Sequence, residues 1–307
     1  MTKIEKYYDA LKRFYLIKGN GFYDGDFPYN KEHPYYFKEF ILRNTIMDTP
    51  KYILNEIKDS QCNALVSKNG NPPEMLCVAS SARQCLSALG IFKGNDMDIE
   101  HLKTFLNEGD EIDSKVKPHF EKKLRIKNIV GYCPNMDAYF ESKNEEYFFE
   151  CKCGELFSNE KKNISKQYFQ NKKHLLGPYL KENIDYIIKN DKYYLNKDKV
   201  GSFDLNQFVK HLMGIISNKK KEVVNLNYYY FIPEDQYLDI MPKNYQFIKE
   251  TLKNAKEDCI NAFNLDYIRK MCKDYKINLR LFIGDAVVVH PASEHNTHLF
   301  YKKDWNE

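Results

Sequence analysis

No apolar run in these 307 residues approaches the ~20 that a bilayer-spanning helix requires, and the opening Met1-Thr2-Lys3-Ile4-Glu5 is polar. The expectation is a cytoplasmic chain with no membrane partner, its eight cysteines held as reduced thiols. An excess of one charge is also missing. With 47 basic and 43 acidic residues the net charge is only +4, which excludes a polybasic tail that coats nucleic acid. Local basic surfaces remain open at Lys115, Lys117, Lys122, Lys123, Arg125 and Lys127, at Lys161–Lys173, and at Lys219–Lys221. Each reads first as a solvated face.

Several familiar motifs are absent. There is no internal repeat, linker or low-complexity block. No GxxxxGK[ST] or GxGxxG follows a strand, so Lys18-Gly19-Asn20-Gly21 is expected to be a turn rather than a phosphate loop. No GxSxG elbow or Cys/His pair argues for a covalent nucleophile. Cys151-x-Cys153 with Cys133 has no second matching pair and reads as strand rather than zinc site. His290, His295 and His298 fit neither helical nor strand ligand spacing, and they fall in what reads as a polar surface tail.

What is present is the composition of a globular protein. Hydrophobic residues make up 43% and charged residues 29%, which argues against general disorder. The length allows one large domain or two small ones. Tyr and Phe are abundant; they can stack on bases, but they read first as part of a Lys/Asn/Ile/Tyr-rich bias.

Apolar spacing predicts helices over Ile4–Leu16 and Tyr35–Ile46, with a third starting at Asp48-Thr49-Pro50. Ser80-Ser81 opens another over Ala82–Leu89, closed by Gly90, and Asp98 caps Ile99–Leu106. From Pro118 the pattern changes. Phe120, Leu124 and Ile126 partly alternate with charged residues, as in a half-buried strand, and Asn135–Glu141 and Glu146–Cys153 follow as strands around a polar turn. A lysine-rich helical region comes next, then a helix over Phe203–Ile216 capped by Ser202. Asn225–Ile232 is a strand in which Tyr228-Tyr229-Tyr230-Phe231 reads as buried centre rather than base platform. A long helix near Thr251–Lys273 and a strand or bent hairpin over Ile277–Val289 end the ordered part. The order gives an α/β or α+β fold with a mixed sheet.

The sequence Glu150-Cys151-Lys152 stands out from the other acid-x-Lys triplets, at Glu56, Asp113, Glu121, Glu141, Glu160 and Asp274, by context. It ends the strand Tyr147-Phe148-Phe149, and the strand just before carries Asp137. A turn centred between Lys143 and Asn144 makes opposed residue numbers sum to 287. Asp137 and Glu150 then face each other with Cβ atoms ~5 Å apart, and Lys152 projects from the same face. A bulge or odd loop would spoil the alignment. Facing carboxylates repel unless a cation or proton lies between them. Mg²⁺ or Mn²⁺ suits such oxygen ligands. The alternative is two solvated acids with Lys152 as counter-ion.

At these residues the chain resembles the PD-(D/E)XK nuclease superfamily, and within it a bacterial group of restriction-endonuclease-like proteins of similar length. Asn135-Met136-Asp137 matches the first acid, and Glu150-Cys151-Lys152 the second acid and the lysine. Ser80-Ser81-Ala82, Phe120-Glu121 and the strand Asn225–Pro233 give looser support across roughly residues 75–235. The resemblance implies a restriction-endonuclease-like core, a mixed sheet of about four or more strands flanked by helices, at residues 76–290. A helical segment 1–75 would pack on it, and residues 291–307 would form a surface tail. It also implies hydrolysis of DNA phosphodiesters, with double-stranded DNA as partner. Asp137 and Glu150 would bind Mg²⁺ (or Mn²⁺), with the backbone carbonyl of Cys151 completing the shell. Lys152 would orient or deprotonate water, or stabilise charge at the phosphate. Glu121 is a candidate extra acid, and Glu155 and Gln207 are weaker candidates.

The expected function is therefore a metal-dependent endonuclease of restriction or phage-defence type. The alternatives are a catalytically inactive nucleic-acid or partner-binding module on the same fold, and a repair or junction nuclease. Oligomeric state stays open, although double-strand cleavage by a one-centre enzyme often takes a two-fold homodimer.

Overall fold

The computed structural model describes residues 1–18, 32–33, 35–36, 49–59, 64–67, 69–90, 92–93, 96–106, 112, 116–126, 129, 133–157, 164, 168, 186–189, 192–195, 201, 203–233, 238–240, 242–285 and 299–304. The 19–21 turn, most of the 35–46 helix, the lysines of 161–173, the three late histidines and residues 286–289 lie outside the described residues.

The fold is α/β, with a six-stranded mixed sheet in the order β10-β9-β8-β5-β4-β3. Its strands are β3 (His119–Lys123), β4 (Asn135–Glu141), β5 (Glu145–Lys152), β8 (Val223–Ile232), β9 (Ile277–Asp285) and β10 (Leu299–Asp304). β5, β8 and β9 run parallel and form the middle, while β3, β4 and β10 add antiparallel. Two small hairpins lie outside this sheet: β1 (Phe92–Lys93) with β2 (Asp96–Met97), and β6 (Tyr186–Lys189) with β7 (Lys192–Leu195).

The parallel strands are covered on both faces, which is why β8 reads as a nearly unbroken apolar run. On one face, Phe120, Ala138, Phe140, Tyr147, Phe149, Tyr229 and Phe282 pack with residues of α1 (Lys3–Lys18), α2 (Lys51–Lys58), α3 (Ser81–Leu89) and α4 (Ile99–Leu106). On the other, Phe148, Leu226, Tyr228, Leu279 and Leu281 pack with α5 (Leu205–Asn218), α6 (Phe247–Phe263) and α7 (Asp266–Asp274).

Local chemistry sets the ends of these elements. The Ser80 hydroxyl accepts the Arg83 N–H at 3.2 Å, and the Gly90 N–H donates to the Leu86 carbonyl at 2.7 Å, closing α3 as expected. Asp98 accepts the Glu100 N–H at 3.2 Å ahead of α4. Other expectations need correction. Pro50, rather than Asp48 or Thr49, occupies the cap of α2, and it makes no side-chain capping bond. Asp204, rather than Ser202, caps α5 by accepting the Gln207 N–H at 3.0 Å. The long helix is two, broken at Asn264-Leu265. Tyr36 bridges to Cys77 instead of lying in a helix. Leu299–Asp304, expected within a surface tail, is the edge strand β10.

Candidate active site

The β4–β5 hairpin places the acids. Its pairs Ala138–Phe149, Tyr139–Phe148, Phe140–Tyr147 and Glu141–Glu146 hold the expected register, and the turn is Lys143-Asn144. The Ser142 N–H donates to the Glu145 carbonyl at 2.9 Å across this turn. One step past Ala138–Phe149 stand Asp137 and Glu150. There the strands change how they bond, because Asp137 Oδ2 accepts the Cys151 N–H at 2.6 Å. The carboxylate is thereby anchored on the neighbouring backbone.

Glu121 extends the row. It lies between the pairs Phe120–Ala138 and Lys122–Met136, opposite Asp137. Three acids therefore sit side by side on β3, β4 and β5, and Glu150 is next paired with Tyr228 of β8. Glu121 has φ +54, the left-handed region that non-glycine residues rarely occupy, and it is buried. That conformation breaks the simple in–out alternation expected of β3 and accompanies the burial of this candidate acid.

Helix α5 supplies the cover. Gln207, His211 and Gly214 recur at helical spacing along one stripe. At Gly214 an added Cβ would stand 2.7 Å from Leu124 Cβ and 3.0 Å from Pro134 Cγ, so only glycine permits this approach to the sheet. Gln207 Nε2 donates to Glu150 Oε1 at 2.9 Å, and Lys152 Nζ donates to Gln207 Oε1 at 2.9 Å. Lys152 Nζ also reaches Glu150 Oε1 at 2.5 Å, which puts Lys152 on the face expected for it. His211 Nε2 is 3.7 Å from Glu150 Oε2, and His211 Nδ1 is 3.1 Å from the Tyr228 hydroxyl. Glu155 Oε1 stands 3.8 Å from Lys152 Nζ, while its Oε2 accepts the Cys153 and Gly154 N–H groups.

Burial and mutual repulsion shape the electrostatics. Burial, then the charges of Glu150 and Glu121, push the Asp137 carboxyl well above the usual range. Burial raises Glu150 against the opposing pull of Lys152. Burial, with Glu150 next, pushes Glu121 up to about 7. Burial alone would lower Lys152, but Glu150, Glu155 and Asp137 outweigh it and keep the ammonium charged. Burial and the Lys152 charge hold His211 neutral.

Among the described residues no group of three His, Cys, Asp or Glu side chains is arranged as a ready metal cage. Asp137 is turned onto an amide, and Glu150 is held by Lys152 and Gln207. The oxygens that could hold a hard cation are carboxylates whose charge is opposed by burial, and Asn135 Oδ1, buried on the strand of Asp137 with no hydrogen-bond partner among the described residues. Cys151 contributes its backbone here, since its side chain lies in the apolar core of the other face.

The structure thus brings Glu121, Asp137, Glu150, Lys152, Glu155 and Gln207 into one neighbourhood. His211, Tyr228 and Asn135 were missed by sequence reasoning. The readable signal was Gln207-x-x-x-His211, two polar residues on the otherwise apolar stripe of α5. Compared with family models, curated proteins and solved structures, the chain finds no match. Among the described residues no helix is long and apolar enough to cross a membrane.

Proposed function

We propose that this chain is a divalent-metal-dependent DNA endonuclease, of restriction or phage-defence type, on a PD-(D/E)XK-like core. The single observation that carries the reading is the row Glu121–Asp137–Glu150 with Lys152 beside it on one sheet face. Asp137 and Glu150 would hold Mg²⁺, or Mn²⁺ in its place, with the Cys151 carbonyl as a candidate further oxygen and Glu121 as a candidate extra acid. When bound, the ion supplies polarisation of the scissile phosphate and a lowered pKa for water. Lys152 orients that water or meets charge developing on the phosphate. Gln207 fixes Lys152 and Glu150 relative to each other. Double-stranded DNA is the substrate, the site of action is the cytoplasm, and a two-fold homodimer is one arrangement that would deliver paired cuts.

The test is nicking of plasmid and phage DNA with Mg²⁺ or Mn²⁺ by wild type, Asp137→Ala and Lys152→Ala, with folding checked by circular dichroism. Equal nicking by all three sinks the assignment. A second reading, a non-catalytic nucleic-acid-binding module, is favoured by Glu150 Oε1 already taking two side-chain donors. DNA affinity without divalent-ion binding would select it.

A further inference from the structure

A concave site lies between α7 and the start of β9. Its volume is about 570 Å³, within the ~300–1,000 Å³ of small-molecule sites. Arg269, Lys270, Lys273 and Lys276 line it above an apolar floor that includes Phe263 and Leu279, and no acidic residue is among the described lining. Leu279 pairs through Leu226 with Phe148, two residues back along the strands from the row Leu281–Tyr228–Glu150. The cleft therefore opens toward the other end of the parallel strands from the acids.

Cations near a helix C-terminus ordinarily complement its dipole. That explanation is insufficient here. Lys219 Nζ already donates to the Tyr275 carbonyl at 2.6 Å, so the end of α7 has its own cation. Lys276 lies beyond the helix with φ +52, a left-handed position where glycine is favoured. A lysine in that conformation places an ammonium at the cleft, where it also pairs with Glu222. Four cations above a partly apolar floor match a ligand that is polyanionic at one end and apolar at the other.

We propose that this cleft binds a nucleoside phosphate, either as a free nucleotide or as part of a nucleic-acid strand. The phosphates meet Arg269, Lys273 and Lys276, with Lys270 at the rim, and the nucleoside lies toward Leu279. The proposal stands apart from metal chemistry at the acid row.

The experiment uses the full chain in EDTA, with ATP and a fluorescein-labelled oligothymidylate as probes, read by calorimetry and anisotropy. Arg269→Gln/Lys273→Gln should weaken binding by about tenfold or more, the scale of losing charged hydrogen bonds. Lys243→Gln/Lys253→Gln, which removes equal charge elsewhere, should leave it unchanged. ATP binding identifies a nucleotide site, and oligonucleotide binding alone identifies a strand site. Equal loss in both double variants, binding of neither probe, or equally tight binding of polyglutamate overturns the proposal. Should the cleft variant fail to fold, photolabelling of wild type with 8-azido-ATP decides: label within residues 266–279 supports the site, and label elsewhere refutes it.

Discussion

Asp137 Oδ2 takes the backbone N–H of Cys151 at 2.6 Å, so a side chain bonds to the neighbouring strand just past Ala138–Phe149, where the regular pairing of β4 and β5 ends. The consequence is a carboxylate whose position is set by the sheet itself. Asp137→Asn keeps an oxygen for that amide and removes the negative charge. The variant should fold, melt at or above the wild-type temperature without metal, bind Mn²⁺ more weakly, and cleave DNA about 10²–10³-fold more slowly. Calorimetric Mn²⁺ titration beside plasmid nicking checks this.

Acid repulsion predicts a pH dependence. A carboxyl whose folded-state pKa exceeds its unfolded value stabilises the fold below the unfolded value and loses that contribution as pH rises through the folded one. For Glu121 the window runs from 4.5 to about 7. Glu121→Gln should therefore flatten the stability-versus-pH curve across that window relative to wild type. Divalent cation should raise wild-type stability more at pH 7.5 than at pH 5. Urea unfolding at several pH values measures both.

Gln207 joins Glu150 and Lys152, one hydrogen bond to each. Gln207→Leu removes both and leaves a buried ion pair with fewer partners. Stability should fall by about 2–3 kcal/mol, and cleavage should fall at saturating substrate rather than through weaker DNA binding. Gln207→Glu should not rescue, because it sets a third negative group against Glu150.

Gly214 admits α5 to the sheet. Ala is the better helix former, yet Gly214→Ala should destabilise by about 1–3 kcal/mol through overpacking against Leu124. Because Gln207 and His211 share that stripe, cleavage should drop along with stability. Leu124→Ala in the same chain keeps the clashing Cβ and should recover little of the loss, whereas Leu124→Gly should show favourable coupling in a double-mutant cycle.

Much of this site was readable before any coordinates. The hairpin register followed from one polar turn and two strands, since antiparallel pairing across a short loop is local. The Ser80 cap and Gly90 stop of α3 were also local. Glu121 was named as a candidate extra acid, although the left-handed dihedral at which it is buried is not advertised by its residue type. The misses lie elsewhere. The break at Asn264-Leu265 lies within a sequence that keeps helical spacing on both sides. β10 becomes a strand by pairing with β9, a partner supplied by tertiary structure rather than by its own alternation. His211 acquires its role only because α5 lies over Glu150 and Tyr228, a contact set by tertiary structure.

The two layers that sandwich the sheet come largely from different stretches of chain: α1 to α4 precede the acid hairpin, and α5 to α7 follow it. Ribosomal synthesis is vectorial, so the first layer is available when Glu150 emerges, whereas Gln207 comes 57 residues later. At about 5–20 residues per second that interval lasts several seconds. Throughout it Glu150 and Lys152 remain wet, and the cost of drying them falls only when nascent α5 docks with both of its polar clamps in hand.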